Sequence, residues 1–175
     1  MAFRRRVLIV IAPERFRDEE LAEPKRALEA AGHIVTVTST RSGQATGMLG
    51  TPVAVASSIA LLAAADFAAL VIAGGAGAPW HLWDNEPLRS LVRAMHAAGK
   101  PIGAICLASP VLARAGVLTG KRATTFPDPR AIIELKRGGA IFVDEPVVLD
   151  GTIVTGSGPE AAAGFGAALV HLVSV

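Results

Sequence analysis

No tyrosine occurs in this 175-residue chain, and aromatic residues of all kinds make up only 5% of it. Proteins that read single-stranded nucleic acid stack bases on aromatic side chains along a basic groove, and here there is little to stack on. Charged residues are also scarce, at 18%, with a formal balance of +2. The densest cationic run, Arg4-Arg5-Arg6, stands just before the first apolar segment. It reads as a solvated approach to a strand, not as the long basic face that a nucleic-acid partner would need, so a sequence pI near 9.1 does not argue for one. The single cysteine, Cys106, excludes an internal disulfide. That agrees with a reducing, cytoplasmic setting and leaves the thiol free for chemistry or burial.

Uninterrupted hydrophobic runs of membrane-spanning length are missing too, although the mean hydropathy is +0.48. Val53 to Ala78 is the richest stretch, but Ser57, Ser58 and Asp66 interrupt it and Gly74-Gly75 break its second half. A helix followed by a buried strand is expected there, and no membrane span. The basic and then apolar start imitates a secretory leader, yet its apolar run from Val7 to Ala12 stops at Pro13-Glu14 without a small-residue cleavage pattern.

What the chain does have is aliphatic residues in the right periods, within a 51% hydrophobic composition. Val7-Leu-Ile-Val-Ile-Ala12 is continuous and β-branched, as a strand covered on both faces should be. Similar runs recur at Ile34 to Thr38, Leu70 to Ala73 and Pro101 to Ile105. Helical spacing separates them, over Asp18 to Ala31, Ser57 to Ala65 and Glu86 to Ala98, with Gly32 and Gly99 where C-terminal caps belong. Later, Val147 to Leu149 and Thr152 to Thr155 flank Asp150-Gly151, which predicts a tight antiparallel hairpin. Pro159-Glu160 then opens a last helix with Phe165, Leu169 and Leu172 on one face. Arg41 to Pro52, with three glycines, reads as a loop or small ribbon and as the candidate mobile segment. The alternation predicts one α/β domain over residues 1–175: a flavodoxin-like, doubly wound, mainly parallel sheet with helices on both faces and a late antiparallel β-hairpin.

In such a sheet ligands gather beyond the carboxyl ends of the strands, and three loops there carry candidate chemistry. Cys106 directly follows the strand Ile102 to Ile105 and precedes a helical segment, Leu107 to Ala115. A sharp strand-nucleophile-helix turn exposes a side chain to free helix N–H groups, which favours a thiolate and predicts a depressed thiol pKa; the competing reading is a small buried hydrophobe. The second loop, Ala73-Gly-Gly-Ala-Gly-Ala-Pro-Trp-His81, has glycines that allow close backbone approach and amides that could hold an oxyanion. It lacks the Gly-Lys-Ser/Thr of a phosphate loop, so no nucleotide site is expected. His81 is the one histidine expected to border the pocket, either as a general acid/base or as an ordinary loop residue. The third loop, Pro13 to Glu20, is dense in carboxylates, of which Asp18 and Glu19 read as a solvated helix start.

The ordered series Val71-Ile-Ala-Gly-Gly75, Gly99-Lys-Pro-Ile-Gly-Ala-Ile-Cys106, Leu112-Ala-Arg-Ala-Gly-Val-Leu-Thr-Gly-Lys121, Ala123-Thr-Thr-Phe-Pro127, Val148 to Thr155 and Gly158-Pro159 resembles the ThiJ/PfpI superfamily over nearly the whole chain. The resemblance implies an elbow cysteine, Cys106, partnered by an acid from the first helix, here Glu20. It implies an oxyanion pocket from the amides of Gly75 and Leu107, with Gly74 and Phe126 beside them. It also implies a homodimer or higher homo-oligomer and no metal or other cofactor.

Departures from the pattern stand at four places. Leu107 replaces the histidine that follows the cysteine in peptidase-like relatives, Phe126 replaces a histidine or tyrosine, Ser157 replaces an arginine, and Arg17 occupies a position that is acidic in the peptidase-like branch. The expected function is a cysteine-dependent stress-response enzyme acting on small reactive carbonyls, of glyoxalase or deglycase type, without glutathione or metal. The alternatives are a redox-sensing or protective protein with an oxidisable cysteine, a binding protein that keeps the elbow as a relic and, further off, an intracellular cysteine peptidase.

Overall fold

The computed structural model describes residues 4–175, so the first three residues of the basic and apolar start lie outside the described residues. In chain order the elements are β1 (Arg6–Val10), β2 (Glu14–Phe16), α1 (Asp18–Ala30), β3 (Ile34–Thr38), β4 (Gly43–Gly47), β5 (Pro52–Val55), β6 (Ala69–Ile72), α2 (Ala78–His81) and α3 (Glu86–Ala97). They continue as β7 (Ile102–Ile105), α4 (Ser109–Ala115), β8 (Arg122–Ala123), α5 (Pro129–Arg137), β9 (Ile141–Phe142), β10 (Val147–Asp150), β11 (Ile153–Gly156) and α6 (Ala162–Ser174).

Six strands form the central sheet in the order β10-β11-β7-β6-β1-β3, parallel throughout except for β10. Central β1, β6 and β7 are the continuous apolar runs, and from Val7 to Val10, Ala69 to Ile72 and Ile102 to Ile105 every residue is buried. A strand covered on both faces needs no polar alternation. Helices α1 and α6 pack on each other over β3, β7 and β11, while α3 and α4 form the second layer against β6 and β7. The fold is therefore the doubly wound α/β sheet. Hairpin β10-β11 pairs Asp150 with Ile153 and turns over Gly151-Thr152, one residue later than expected, with Gly151 at φ 62°, the left-handed conformation that glycine supplies without strain. Among the described residues no helix is long and apolar enough to cross a membrane.

Two local expectations change, and an open reading resolves. Ser57 to Ala65 is not a helix but two single 3-10 turns, Ile59–Leu61 and Ala64–Asp66, separated by extended backbone at Leu62 and Ala63. Two distant tethers draw this segment out: Ile59 N–H donates to Ser39 O at 2.9 Å, and Lys100 Nζ donates to Ala64 O and Phe67 O, both at 2.7 Å. Segment 41–52, read as a loop or small ribbon, is the ribbon: β4 and β5 pair antiparallel and β2 joins β4 in a three-stranded sheet. In α6 the buried face is Phe165, Leu169 and Val173, with Leu172 only half-buried. A 3-10 turn, Pro159–Ala161, precedes the helix.

Candidate active site

Strand β7 delivers Cys106 into a left-handed backbone conformation, φ 61°, which costs a non-glycine residue roughly 1–3 kcal/mol unless the surroundings enforce it. The enforcement is visible. The Cys106 carbonyl accepts a hydrogen bond from Thr125 Oγ1 at 2.8 Å and another from Phe126 N–H at 3.4 Å. A 3-10 turn, Cys106–Ala108, follows and leads into α4. On its far side Leu107 O accepts from the indole Nε1 of Trp83 at 2.6 Å. The peptide groups on both sides of Leu107 are thus pinned at their carbonyl ends, and the Leu107 N–H faces the sulfur.

Beyond β6, Gly74 occupies a point where three segments meet. A Cβ there would lie 2.6 Å from Ile105 O, 2.8 Å from Cys106 Cβ and 2.8 Å from Glu20 Oε2, so any side chain would break the site apart. Its N–H donates to Glu20 Oε2 at 2.8 Å. Next to it, Gly75 adopts φ 107° and directs its own N–H toward the sulfur.

Glu20, in the first turn of α1, is fully buried, and its second oxygen, Oε1, has no N–H or O–H donor among the described residues. Burial raises its carboxyl to about 7, against the pull of its contacts with Cys106 and Gly74. Cys106, with only 5% of its surface exposed, is pushed upward too, first by burial and then by the negative charge of Glu20, while the amides of Leu107 and Gly75 draw it down. This overturns the expectation of a depressed thiol pKa. Two adjoining groups in a desolvated pocket do not both ionise. They share one negative charge, and a thiolate exists here with the proton on Glu20, which then has a hydrogen to donate to sulfur.

A cavity of about 200 Å³ opens on the thiol, walled by Met48, Ala76, Leu107, Phe126 and Pro159, with Gly75 and Arg17 also in its lining. Cys106, Gly75, Leu107 and Phe126 are thereby brought together, with Gly74 and Glu20 behind the sulfur. His81 is not among them. It stands on α2 with Nε2 3.0 Å from Glu14 Oε1 and does not line this cavity. Arg17 gives its Nε and Nη2 to Glu19 at 2.7 and 3.0 Å.

Three contributors are not among the candidate residues read from the sequence, although Thr125 lies within the run Ala123 to Pro127. Thr125 and Trp83 act through elbow carbonyls. Met48 reaches the cavity because Asp18 accepts from Leu49 N–H (2.9 Å) and Thr51 N–H (3.2 Å) and so anchors the β4-β5 turn. Among the described residues no cluster of three or more His, Cys, Asp or Glu side chains is placed to hold a metal ion.

Against known proteins, the model of the DJ-1/PfpI family matches residues 5–172. An uncharacterized protein of Methanocaldococcus jannaschii is 47% identical over 92% of this chain and 78% of its own length. A protein named deglycase in Pyrococcus abyssi is 36% identical over 87% of this chain and 90% of its own. Among solved structures, a ThiJ/PfpI domain protein from Brachyspira murdochii superposes with a TM-score of 0.91 at 30% identity, over 96% of this chain and 95% of that one.

Proposed function

The chain belongs to the DJ-1/PfpI family, and from that premise we propose that it is a cysteine-dependent enzyme that detoxifies small reactive dicarbonyls. The observation that carries the reading is the pairing of a fully buried acid, Glu20, with an elbow thiol toward which the amides of Gly75 and Leu107 point. The deglycase name of relatives 36% identical to it agrees with enzymatic activity.

The chemistry closes without an external oxidant or reductant. Sulfur, as thiolate, adds to the aldehyde carbon of a 2-oxoaldehyde, and the proton held on Glu20 passes to the new oxygen. Backbone N–H groups at Gly75 and Leu107 stabilise charge as it develops on that oxygen. Glu20, now a carboxylate with a raised proton affinity, takes the hydrogen from the former aldehyde carbon and returns a proton to the neighbouring one, which converts the adduct to a thioester. Water cleaves the thioester to a 2-hydroxy acid and frees the thiol. The sum is 2-oxoaldehyde plus water giving 2-hydroxy acid.

A peptidase is disfavoured because Leu107 occupies the place of an imidazole and because His81 is paired with Glu14 outside the cavity. A redox role is the second reading, favoured by the buried acid beside the thiol: a protonated Glu20 would stabilise an oxidised, anionic sulfur. Methylglyoxal consumption and lactate formation by EDTA-treated protein decide between the two. If wild type makes no more lactate than Cys106→Ala, the enzymatic reading falls.

A further inference from the structure

The walls of the thiol cavity are unusually free of polar groups for a site that handles a carbonyl. Met48, Leu107 and Phe126 present thioether, aliphatic and aromatic surface, and Ala76 and Pro159 complete the enclosure. Its one charged lining residue, Arg17, has two guanidinium nitrogens committed to the carboxylate of Glu19, so the pair offers no net charge to attract an anionic substituent. Phe126 and Met48 nevertheless remain 39% and 40% exposed. Large apolar side chains left open around a concave site mark ligand-binding surface.

A second cavity, of about 280 Å³, shares Phe126 and Pro159 with the first and extends past Ser157 toward Glu160. The Phe126 ring rests against Gly158, where a Cβ would come within 3.1 Å of the ring. Glycine there lets the ring lie between the two cavities as a common wall. The reacting carbon of a substrate must sit at Cys106, but methylglyoxal, with a single methyl group beyond its carbonyls, would leave the Phe126 wall and the second cavity unfilled.

We propose that this site selects carbonyl compounds bearing an apolar, planar substituent, such as aryl 2-oxoaldehydes, and that Phe126 is the residue that determines this specificity. The substituent lies on the Phe126 and Pro159 walls and runs toward the second cavity. The inference rests on the carbonyl reading given above for the identity of the reacting group, but the selectivity of the cavity is measurable without turnover.

Two measurements test it. In the first, kcat/KM for phenylglyoxal and for methylglyoxal is compared after each is normalised to its rate with a free thiol such as 2-mercaptoethanol. The expected preference for phenylglyoxal is about tenfold or more, as discrimination by an additional buried apolar group gives. Phe126→Ser reduces it toward unity, whereas Phe126→Leu keeps most of it. In the second, Cys106 is alkylated by N-benzyl iodoacetamide and by iodoacetamide, again relative to the free thiol, and the same preference and the same response to Phe126→Ser are expected. Thermal melting identifies any variant that fails to fold, and the wild-type alkylation ratio alone then still decides. A wild-type ratio at or below that of the free thiol overturns the proposal, as does an unchanged ratio in folded Phe126→Ser. Absence of dicarbonyl turnover alongside a retained alkylation preference removes the carbonyl reading and leaves the apolar selectivity standing. Turnover that favours methylglyoxal, with no alkylation preference, does the reverse.

Discussion

The hydroxyl of Thr125 donates a 2.8 Å hydrogen bond to the carbonyl of Cys106 in a fully buried setting. That carbonyl belongs to the same peptide group whose N–H, at Leu107, is directed at the sulfur. A donor at the oxygen end polarises the peptide and strengthens its N–H as a donor, and it also fixes the orientation that the φ 61° backbone of Cys106 requires. Thr125 thus acts on sulfur through one peptide bond, without touching it.

Removing this hydroxyl while keeping its shape should therefore alter thiol chemistry and not merely stability. For Thr125→Val we expect the pH profile of Cys106 alkylation to move to higher pH, with a loss of about 1–3 kcal/mol in unfolding free energy from the bond removed and the carbonyl left short of a donor. Thr125→Ser should restore the profile. Iodoacetamide rates across pH with urea unfolding of the three proteins provide the check, and a wild-type profile in the valine variant would remove Thr125 from this role.

The shared charge of Glu20 and Cys106 gives a second expectation. Wild-type alkylation should rise through about pH 7, where burial holds the Glu20 carboxyl, because loss of the pair's first proton is what admits a thiolate. Glu20→Gln removes that step and shifts the rise to higher pH, since the thiol must then ionise alone against its burial. Its amide still donates to sulfur, so Glu20→Leu should be slower again. Equal rates for all three proteins across pH would separate Glu20 from the thiol.

The same group sets a pH dependence of stability. An acid whose folded pKa is raised favours the folded state most where it is protonated in both states, and this contribution is lost as pH rises from its ordinary 4.5 through about 7. The shift corresponds to about 3 kcal/mol. Wild type should therefore lose about that much stability relative to Glu20→Gln between about pH 4.5 and about pH 8. Urea titrations of both proteins at the two pH values measure the difference, and parallel behaviour would contradict the raised carboxyl.

How far the sequence announces all this depends on how local the cause is. β1, β6 and β7 are legible as unbroken aliphatic runs because burial on both faces leaves no alternation to preserve, and Gly32 and Gly99 mark helix ends because both adopt left-handed φ values. Cys106, Glu20 and Gly74 are recognisable from spacing and resemblance. Residues 57–65 carry a helical pattern, but Lys100, more than thirty residues away, captures the carbonyls of Ala64 and Phe67. His81 reads as a pocket residue from its place after β6, but its ring lies 3.0 Å from Glu14 and outside the cavity lining. Thr125 and Met48 gain their places only when distant loops meet.

Asp18 provides the last test, because it ties the site's outer wall to the helix that carries Glu20. Burial pushes its carboxyl upward, but the Thr51 side chain and the Leu49 and Thr51 amides together hold it below the ordinary carboxylate range. Those bonds fix the turn that places Met48, whose Sδ accepts from Ala76 N–H at 3.4 Å. Such a depressed acid stabilises the fold above its ordinary pKa of 3.8, and the contribution fades as pH falls through its lower folded value. Asp18→Ala should cost about 1–3 kcal/mol at neutral pH by stranding two amides, and should free the ribbon turn enough to expose Cys106. Limited proteolysis near Met48 and faster iodoacetamide modification are the expected readouts, with Asp18→Asn intermediate because its amide oxygen still accepts one of the two bonds. Unchanged proteolysis and alkylation in a folded alanine variant would show that the wall stands without Asp18.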